Sequence, residues 1–404
     1  MSLVRSMADW LGAGRRRAAE RTAPGAHEAK AATPVTGTLI FTGGGDPVFT
    51  ERSFPSLART GFMQNPVVYR SVRLISEAAA AIPLVLYDGA EEVSANRLLD
   101  LLHRPNPMQS TSAFIEAICG FLLMAGNAYV EAAMFGGEIK ALHVLRPDRI
   151  RVIEGDDGWP VAYEYRVGST SKRIAAEGEA GTPSSLLHLA LFHPLADLKG
   201  YPPLASAQAA LDLHNAAGRW NKALLDNSAR PSGALIYKSE GGASLSPDQF
   251  ARLKSELETG YAGAVRAGRP LLLEGGLEWK AMALTPKDMD FIEAKNGAAR
   301  DIALAFGVPP MLLGIPGDAT YSNYAEANRA LYRLTVLPLV KRISGALGDW
   351  LGAHLGEPGL RLGFDLDAVE GLSAEREALW TRVGAADFLT RAEKREAVGY
   401  GAED

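Results

Sequence analysis

The spacing of apolar residues predicts helices first and strands later in the N-terminal half of the chain. Apolar side chains recur at helical spacing in 67–75, and Asn65 followed by Pro66 is typical of an N-cap residue and a first-turn proline. Pro83 ends this predicted helix, and a short strand is predicted at 84–87. Two further helices are predicted, at 96–102 and 114–124.

Between residues 128 and 191 the pattern changes to short runs rich in β-branched and aromatic residues. The predicted strands are 128–134, 139–144, 150–153, 162–167 and 186–191. Gly-Gly and Asp-Gly pairs separate them, and they do not alternate regularly with helices as in a doubly wound sheet. The pattern therefore predicts an α+β fold.

Two helical segments without interior proline bracket a small insert. The first, 204–225, is rich in alanine, and the second begins at the Thr-Pro-Lys-Asp sequence 285–288 and runs to Phe306. The insert contains three predicted features: a strand at 233–237, a capping box between Ser246 and Gln249, and a hairpin pairing 270–273 with 277–284.

Residues 307–320 are predicted to form a loop because they are rich in helix breakers. These are Gly307, Pro309, Pro310, Gly314, Pro316 and Gly317. Thr320 or Ser322 then caps a long helix through Leu337, which Pro338 is expected to kink before the helix continues to Trp350.

Composition limits the classes of function. The 404 residues are 47% hydrophobic, enough for more than one packed core. The chain has 42 Lys and Arg against 47 Asp and Glu, a net charge of −5. A protein that grips duplex DNA over a broad face is normally basic. Any contact with DNA is therefore expected to be local, or of a kind in which tight adhesion is a disadvantage.

Targeting and redox features are few. Residues 12–35 are rich in Ala, Gly, Arg and Pro, so residues 1–35 are predicted to be a mobile basic tail. No apolar run approaches the ~18 residues of a membrane span, and residues 1–17 lack the pattern of a signal peptide. The single Cys119 lies in an apolar stretch and is predicted to be a buried thiol in a reducing compartment.

Motifs for catalysis are absent from the sequence. It contains no phosphate-binding GxxxxGK[ST], no GxSxG elbow and no HExxH. Two weak alternatives for metal binding remain, the pair His188 and His193, and the pair Asp365 and Asp367 with the spacing of one strand face. The first interpretation is a protein without catalytic residues, cofactor or metal. The alternatives are a metal-dependent cytosolic enzyme that uses Asp365 and Asp367, and an oligomeric scaffold that does not touch DNA.

An ordered set of short motifs covers most of the chain. The motifs lie at 65–70, 103–107, 126–129, 145–149, 200–204, 229–233, 273–279, 306–314 and 320–323. In this set the chain resembles the portal, or head-to-tail connector, family of long-tailed double-stranded-DNA phages. Residues 389–395 resemble the closing helix motif of that family, with Ala392 where the family usually has asparagine.

The resemblance implies a structural, non-enzymatic protein of the virion, assembled in the cytoplasm of a bacterial host. It implies a ring, commonly of twelve subunits, at one capsid vertex, through which double-stranded DNA enters and leaves. The implied partners are the major capsid protein, the terminase motor and the head-tail adaptors. The implied parts are a wing (36–203), two stem helices (204–228 and 285–306), an α+β clip (229–284), a tunnel loop (307–321), a kinked helix returning to the wing (322–368) and a short helical crown (369–404).

The residues expected to face the DNA channel lie in the tunnel loop and in the second stem helix. In the loop they are Ile315, Asp318, Ala319 and Thr320, which form a flexible collar whose movement Gly314 and Gly317 permit. In the stem they are Lys287, Lys295 and Arg300, as candidates for phosphate contacts. The alternative is that these three pair with Asp288, Glu293 and Asp301 within or between subunits. A ring of about twelve acidic chains would repel DNA everywhere except at such contacts.

Overall fold

The computed structural model describes most of the chain after residue 48. The described residues are 49–89, 91–178, 181–226, 233–237, 246, 248–249, 251–252, 255, 277–281, 291–317 and 321–400. All of them belong to one compact unit, 48–404. The predicted tail at 1–35 lies outside the described residues.

Helices and strands are mixed along the described chain. The α-helices are α1 (Phe54–Leu57), α2 (Pro66–Ala80), α3 (Arg97–His103), α4 (Thr111–Ala125), α5 (Pro203–Ser206), α6 (Gln208–Asp226), α7 (Phe291–Ala305), α8 (Tyr321–Leu331), α9 (Leu337–Leu355), α10 (Ser373–Gly384) and α11 (Arg391–Val398). Short π-helical segments occupy Ala58–Phe62 and Tyr332–Val336, and 3-10 helices occupy Pro147–Arg149, Pro310–Leu313 and Glu370–Leu372. The strands are β1 (Leu84–Asp88), β2 (Glu91–Val93), β3 (Asn127–Phe135), β4 (Glu138–Leu145), β5 (Ile150–Glu154), β6 (Pro160–Val167), β7 (Thr170–Ala175), β8 (Leu186–Ala190), β9 (Gly233–Tyr237), β10 (Leu277–Ala281) and β11 (Leu360–Phe364).

The strands form four small antiparallel sheets. Their orders are β11-β1-β2, β4-β3-β8, β5-β6-β7 and β10-β9. The predicted α+β class is confirmed, and each predicted strand between 128 and 191 is found within two residues of its expected start. The predicted hairpin partner 270–273 lies outside the described residues, and 277–281 pairs with 233–237.

The main apolar core forms where α2 packs against α4. Asn65 starts α2 as predicted, because its Oδ1 accepts hydrogen bonds from the N–H groups of Val67 and Val68. Ile118 and Cys119 on α4 are completely buried. The predicted burial of the Cys119 thiol is confirmed, and this burial raises its pKa to about 12.

The predicted helix 204–225 is interrupted. The chain makes the short helix α5, turns at Ala207 and begins α6 at Gln208. Gln208 is buried at this turn, where its Oε1 accepts a hydrogen bond from Arg52 Nε over 2.6 Å and its side-chain amide donates to the carbonyl of Thr50. Tertiary contacts therefore override the helical propensity of the alanine-rich sequence here.

The long helix after the predicted tunnel loop was expected to stay regular through Leu337 and to kink at Pro338, and its α-helical pattern is interrupted one turn earlier. Residues 332–336 are π-helical, and α9 then continues to Leu355, five residues beyond the predicted end. Pro338 has no N–H to donate to the carbonyl four residues earlier, so the regular hydrogen-bond ladder cannot pass through it. None of the helices within the described residues is long and apolar enough to cross a lipid bilayer.

Candidate nucleic-acid interface

Helix α7, the predicted second stem helix, ends at Ala305, two residues before the predicted start of the tunnel loop. Its buried face includes Ile302 and packs against α6. Gly307 adopts a φ of 67° and donates its N–H to the carbonyl of Leu304 over 2.9 Å. Val308 donates its N–H to the carbonyl of Ala303, also over 2.9 Å. These two bonds form a Schellman motif, which requires a left-handed residue at position 307.

The first half of the predicted loop is folded into a second closed turn. Pro310–Leu313 forms a 3-10 helix, after which Gly314 donates its N–H to the carbonyl of Met311 over 3.2 Å. Ile315 donates its N–H to the carbonyl of Pro310, also over 3.2 Å, and its side chain is partly buried. Residues 310–313 are thus helical where the sequence predicted an irregular loop, and Gly314 closes a turn. Asp318, Ala319 and Thr320 lie outside the described residues.

The three predicted stem cations have different surroundings. Lys287 lies outside the described residues, and Lys295 is partly buried on α7. Arg300 is exposed, and its Nη2 donates a hydrogen bond to the carbonyl of Pro316. Among the described residues of the single chain, neither Lys295 nor Arg300 forms an ion pair with Glu293 or Asp301, and Asp288 lies outside those residues. Pairing between subunits stays an alternative. Contact of these cations with phosphate stays a prediction.

A buried polar cluster, which the sequence did not predict, joins α2 to α6. Asn65 Nδ2 donates to Asn215 Oδ1 over 2.8 Å and lies 3.0 Å from His214 Nδ1. Burial, followed by the positive charge of Lys295, lowers the pKa of His214. The sequence signal for this cluster is an imidazole and an amide in adjacent positions of an otherwise alanine-rich helix.

Another unpredicted contact joins the loop to the π-helical segment. Thr335 Oγ1 donates to the carbonyl of Gly307 over 2.7 Å. A Cβ atom at Gly307 would lie 2.6 Å from that hydroxyl oxygen. The hydroxyl and the missing side chain together let the π-helical segment approach the end of α7.

The acidic pair proposed as a metal site has another structural role. β11 ends at Phe364, so Asp365 and Asp367 lie in the following turn and the predicted strand-face spacing is wrong. Asp365 Oδ1 accepts the N–H of Asp367 over 2.8 Å. Arg376 donates to both carboxylate oxygens of Asp367, with Nη2 2.9 Å from Oδ2, and this lowers the pKa of Asp367.

The two histidines that were alternatives for metal binding contact aromatic rings. His188 stacks on Tyr129 with ring centroids 4.4 Å apart, and His193 meets Tyr201 edge to face at 5.3 Å. Across the residues that the structure describes, no group of three His, Cys, Asp or Glu side chains is placed to hold a metal ion.

Comparison with known proteins gives consistent matches. The profile of the family described as "Phage portal protein" matches residues 66–399. A chain in the neck of an empty gene transfer agent particle, computed with C6 symmetry, is 52% identical with a TM-score of 0.70 and covers 90% of this chain and 98% of its own. A chain in the neck of a native particle, computed with C12 symmetry, is also 52% identical, with a TM-score of 0.67 and coverage of 89% and 97%.

A curated relative agrees with this assignment. The probable portal protein of Streptomyces phage phiC31 is 27% identical over 330 residues, which is 79% of this chain and 71% of the relative. The profile match covers more than three quarters of the sequence and runs from α2 to α11. The resemblance found in the motifs is therefore confirmed: the chain belongs to the phage portal protein family.

Proposed function

We propose that this chain is the ring-forming subunit of the portal at one vertex of a phage or gene transfer agent particle. In this role it is a structural conduit for double-stranded DNA during packaging and ejection, and not an enzyme. The observation that carries the proposal is the 52% identity, over 89% of the chain, to a chain in a native particle neck computed with C12 symmetry. From the C12 symmetry of that neck we infer a ring of twelve copies of this chain.

Exposed apolar side chains on the stem and on the π-helical segment support assembly into a ring. Leu304 on α7 and Leu334 in the π-helical segment are each 77% exposed, and Ile292 on α7 is 75% exposed. Large apolar side chains at these positions lose contact with water when a neighbouring copy covers them. These residues are proposed to lie at the contact between adjacent subunits.

The charge of the chain supports a channel that guides DNA without holding it. One chain carries −5, so a ring of about twelve has a strongly negative field that repels phosphate. Contacts are then confined to chosen positions, for which Ile315, Asp318, Ala319, Thr320, Lys287 and Lys295 remain the proposed residues. The capsid protein, the terminase motor and the head-tail adaptors are the proposed partners of the outer surfaces, and the assembled ring resides in the particle.

Deletion and complementation in the producing strain test this function. Without the gene for this chain we expect no nuclease-protected DNA in released particles, and the intact gene supplied in trans should restore it. Variants at Asp318 and Thr320 should assemble rings but yield particles with less protected DNA. Normal DNA filling in the deletion strain would contradict the proposal and would favour a scaffold that does not touch DNA.

A further inference from the structure

The guanidinium of Arg300 and the glycine at 317 fit each other closely. Nη2 of Arg300 donates to the carbonyl of Pro316. A Cβ atom at Gly317 would lie 2.6 Å from that same nitrogen and 3.6 Å from Cζ. The φ angle of Gly317 is not in the left-handed region, so its backbone conformation does not require glycine. A side chain at position 317 would instead have to displace the guanidinium from its present position.

The other end of the same loop segment is held in a similar way. Thr335 Oγ1 donates to the carbonyl of Gly307, and a Cβ atom there would lie 2.6 Å from the hydroxyl oxygen. Each end of 307–317 therefore combines a side-chain donor, a backbone carbonyl acceptor and a glycine that leaves space. Between these ends the segment is closed by the backbone hydrogen bonds of Gly314 and Ile315.

We propose that Arg300 is a positioning residue that ties the tunnel loop to α7 of its own subunit, in place of the phosphate contact that the sequence suggested. A charged donor on a carbonyl makes a stronger hydrogen bond than a neutral donor, and the rigid guanidinium fixes the direction of that bond. Arg300 thus sets the position at which the loop leaves the stem. The effect of the loop position on DNA rests on the proposed function, whereas the hydrogen bond between Arg300 and Pro316 is independent of it.

The two roles of Arg300 predict different behaviour for Gly317→Ala. This variant keeps the positive charge of Arg300, and the added methyl group displaces the guanidinium from the carbonyl of Pro316. A positioning residue loses its effect in that variant, whereas a phosphate contact keeps its charge near the channel. Arg300→Ala removes both the charge and the tie. Gly345→Ala is the matched control, because a Cβ atom at Gly345 meets nothing within 4 Å.

Hydrogen exchange of the backbone amides of Gly314 and Ile315, measured in the assembled full-length protein, tests the tie. Arg300→Ala and Gly317→Ala should each raise the exchange rate on the order of tenfold, which is the value of one hydrogen bond. The double variant should exchange no faster than either single variant, since both changes break the same contact. Gly345→Ala should leave these amides unchanged, and Arg300→Lys should give a smaller increase because its ammonium still reaches a carbonyl.

Three results would overturn the proposal: unchanged exchange in Arg300→Ala, unchanged exchange in Gly317→Ala, or additive increases in the double variant. The mass of the assembly and the protected DNA per particle, measured on the same variants, keep the two proposals apart. If exchange rises in the variants but DNA filling stays normal, the contact between Arg300 and the loop is supported. The role of the loop in handling DNA is then contradicted. Normal filling in Gly317→Ala together with lost filling in Arg300→Ala would restore Arg300 as a phosphate contact.

Discussion

Thr335 Oγ1 donates a hydrogen bond to the carbonyl oxygen of Gly307 over 2.7 Å, across 28 residues of sequence. It joins the π-helical segment before Pro338 to the left-handed glycine that follows α7. The interruption in the long helix and the start of the predicted tunnel loop are therefore in direct contact. A change in the shape of one is expected to alter the position of the other.

Removing the hydroxyl of Thr335 should weaken this contact without changing side-chain shape. We expect Thr335→Val to lower the free energy of unfolding by about 1 kcal/mol, since one hydrogen bond is lost and a carbonyl is left without this donor. Thr335→Ser keeps the donor and should stay close to the parent protein. Denaturant unfolding of all three proteins checks this, and equal midpoints for the valine and serine variants would contradict it.

Asn65 should be one of the more sensitive polar positions, because it is 1% exposed and serves both α2 and α6. Asn65→Ala loses the cap of α2 and removes the amide that meets His214 Nδ1 and Asn215 Oδ1, so a loss of roughly 2 to 4 kcal/mol is expected. Asn65→Ser retains a capping oxygen and should lose less. Thermal or denaturant unfolding measures the differences.

Asn96 provides the matched control for Asn65. Its Oδ1 caps α3 by accepting the N–H of Leu98 over 2.8 Å, and its amide reaches only the exposed carboxylate of Glu357. Asn96→Ala should therefore cost about 1 kcal/mol, the usual value of a cap alone. Equal losses in Asn65→Ala and Asn96→Ala would contradict a role for Asn65 in joining the two helices.

Acid should destabilise the sheet that contains His188. Burial lowers the pKa of His188 to about 4, whereas the unfolded chain titrates near 6.5. The folded state therefore binds this proton more weakly, and the contribution is fully present above about pH 6.5 and is lost as the pH falls toward 4. The upper limit of the loss is about 3 kcal/mol.

A non-titrating variant isolates this contribution from the carboxylates, which also titrate in acid. His188 Nε2 lies 3.0 Å from Asn127 Oδ1, which also accepts the N–H of Gly200, so the imidazole donates this bond in its neutral form. His188→Gln can supply an amide donor at this position and has no charge to gain. The drop in melting temperature between pH 7 and pH 4.5 should be smaller in the variant, and an equal drop would refute the assignment.

The features that the sequence predicted well depend on residues close together in the chain. The Asn65 and Pro66 start of α2 and the interruption before Pro338 are local effects of capping and of a missing N–H. β11 was missed although Leu360, Leu362 and Phe364 alternate along it, so period-two spacing was available as a signal. β2 has only three residues and begins with two glutamates, a pattern that gives no strand signal.

Contacts between distant residues could not be predicted from spacing. The bonds from Arg300 to Pro316 and from Thr335 to Gly307 depend on how the end of α7 packs beside the π-helical segment. Asp365 and Asp367 have the spacing of one strand face, but the strand ends at Phe364 and Arg376 donates to the carboxylate of Asp367. Periodicity reports which face of an element is apolar, and not which element it meets.

The exposed stem leucine should control assembly and leave the single chain unaffected. Leu304→Asp places a charge on the proposed contact between subunits, so we expect the assembly to dissociate while the unfolding of the isolated chain changes little. Leu304→Met keeps an apolar side chain of similar volume and should assemble normally. Sedimentation of both variants against the parent tests this, and full assembly of the aspartate variant would place the contact elsewhere.

The mass of the purified, full-length protein under non-denaturing conditions tests the central claim most directly. Native mass spectrometry should find a closed species close to twelve chains, with a central channel visible in electron micrographs of the same sample. A protein that stays monomeric at all concentrations tested, or that forms open aggregates of no fixed size, would contradict the assignment of this chain as a portal ring subunit.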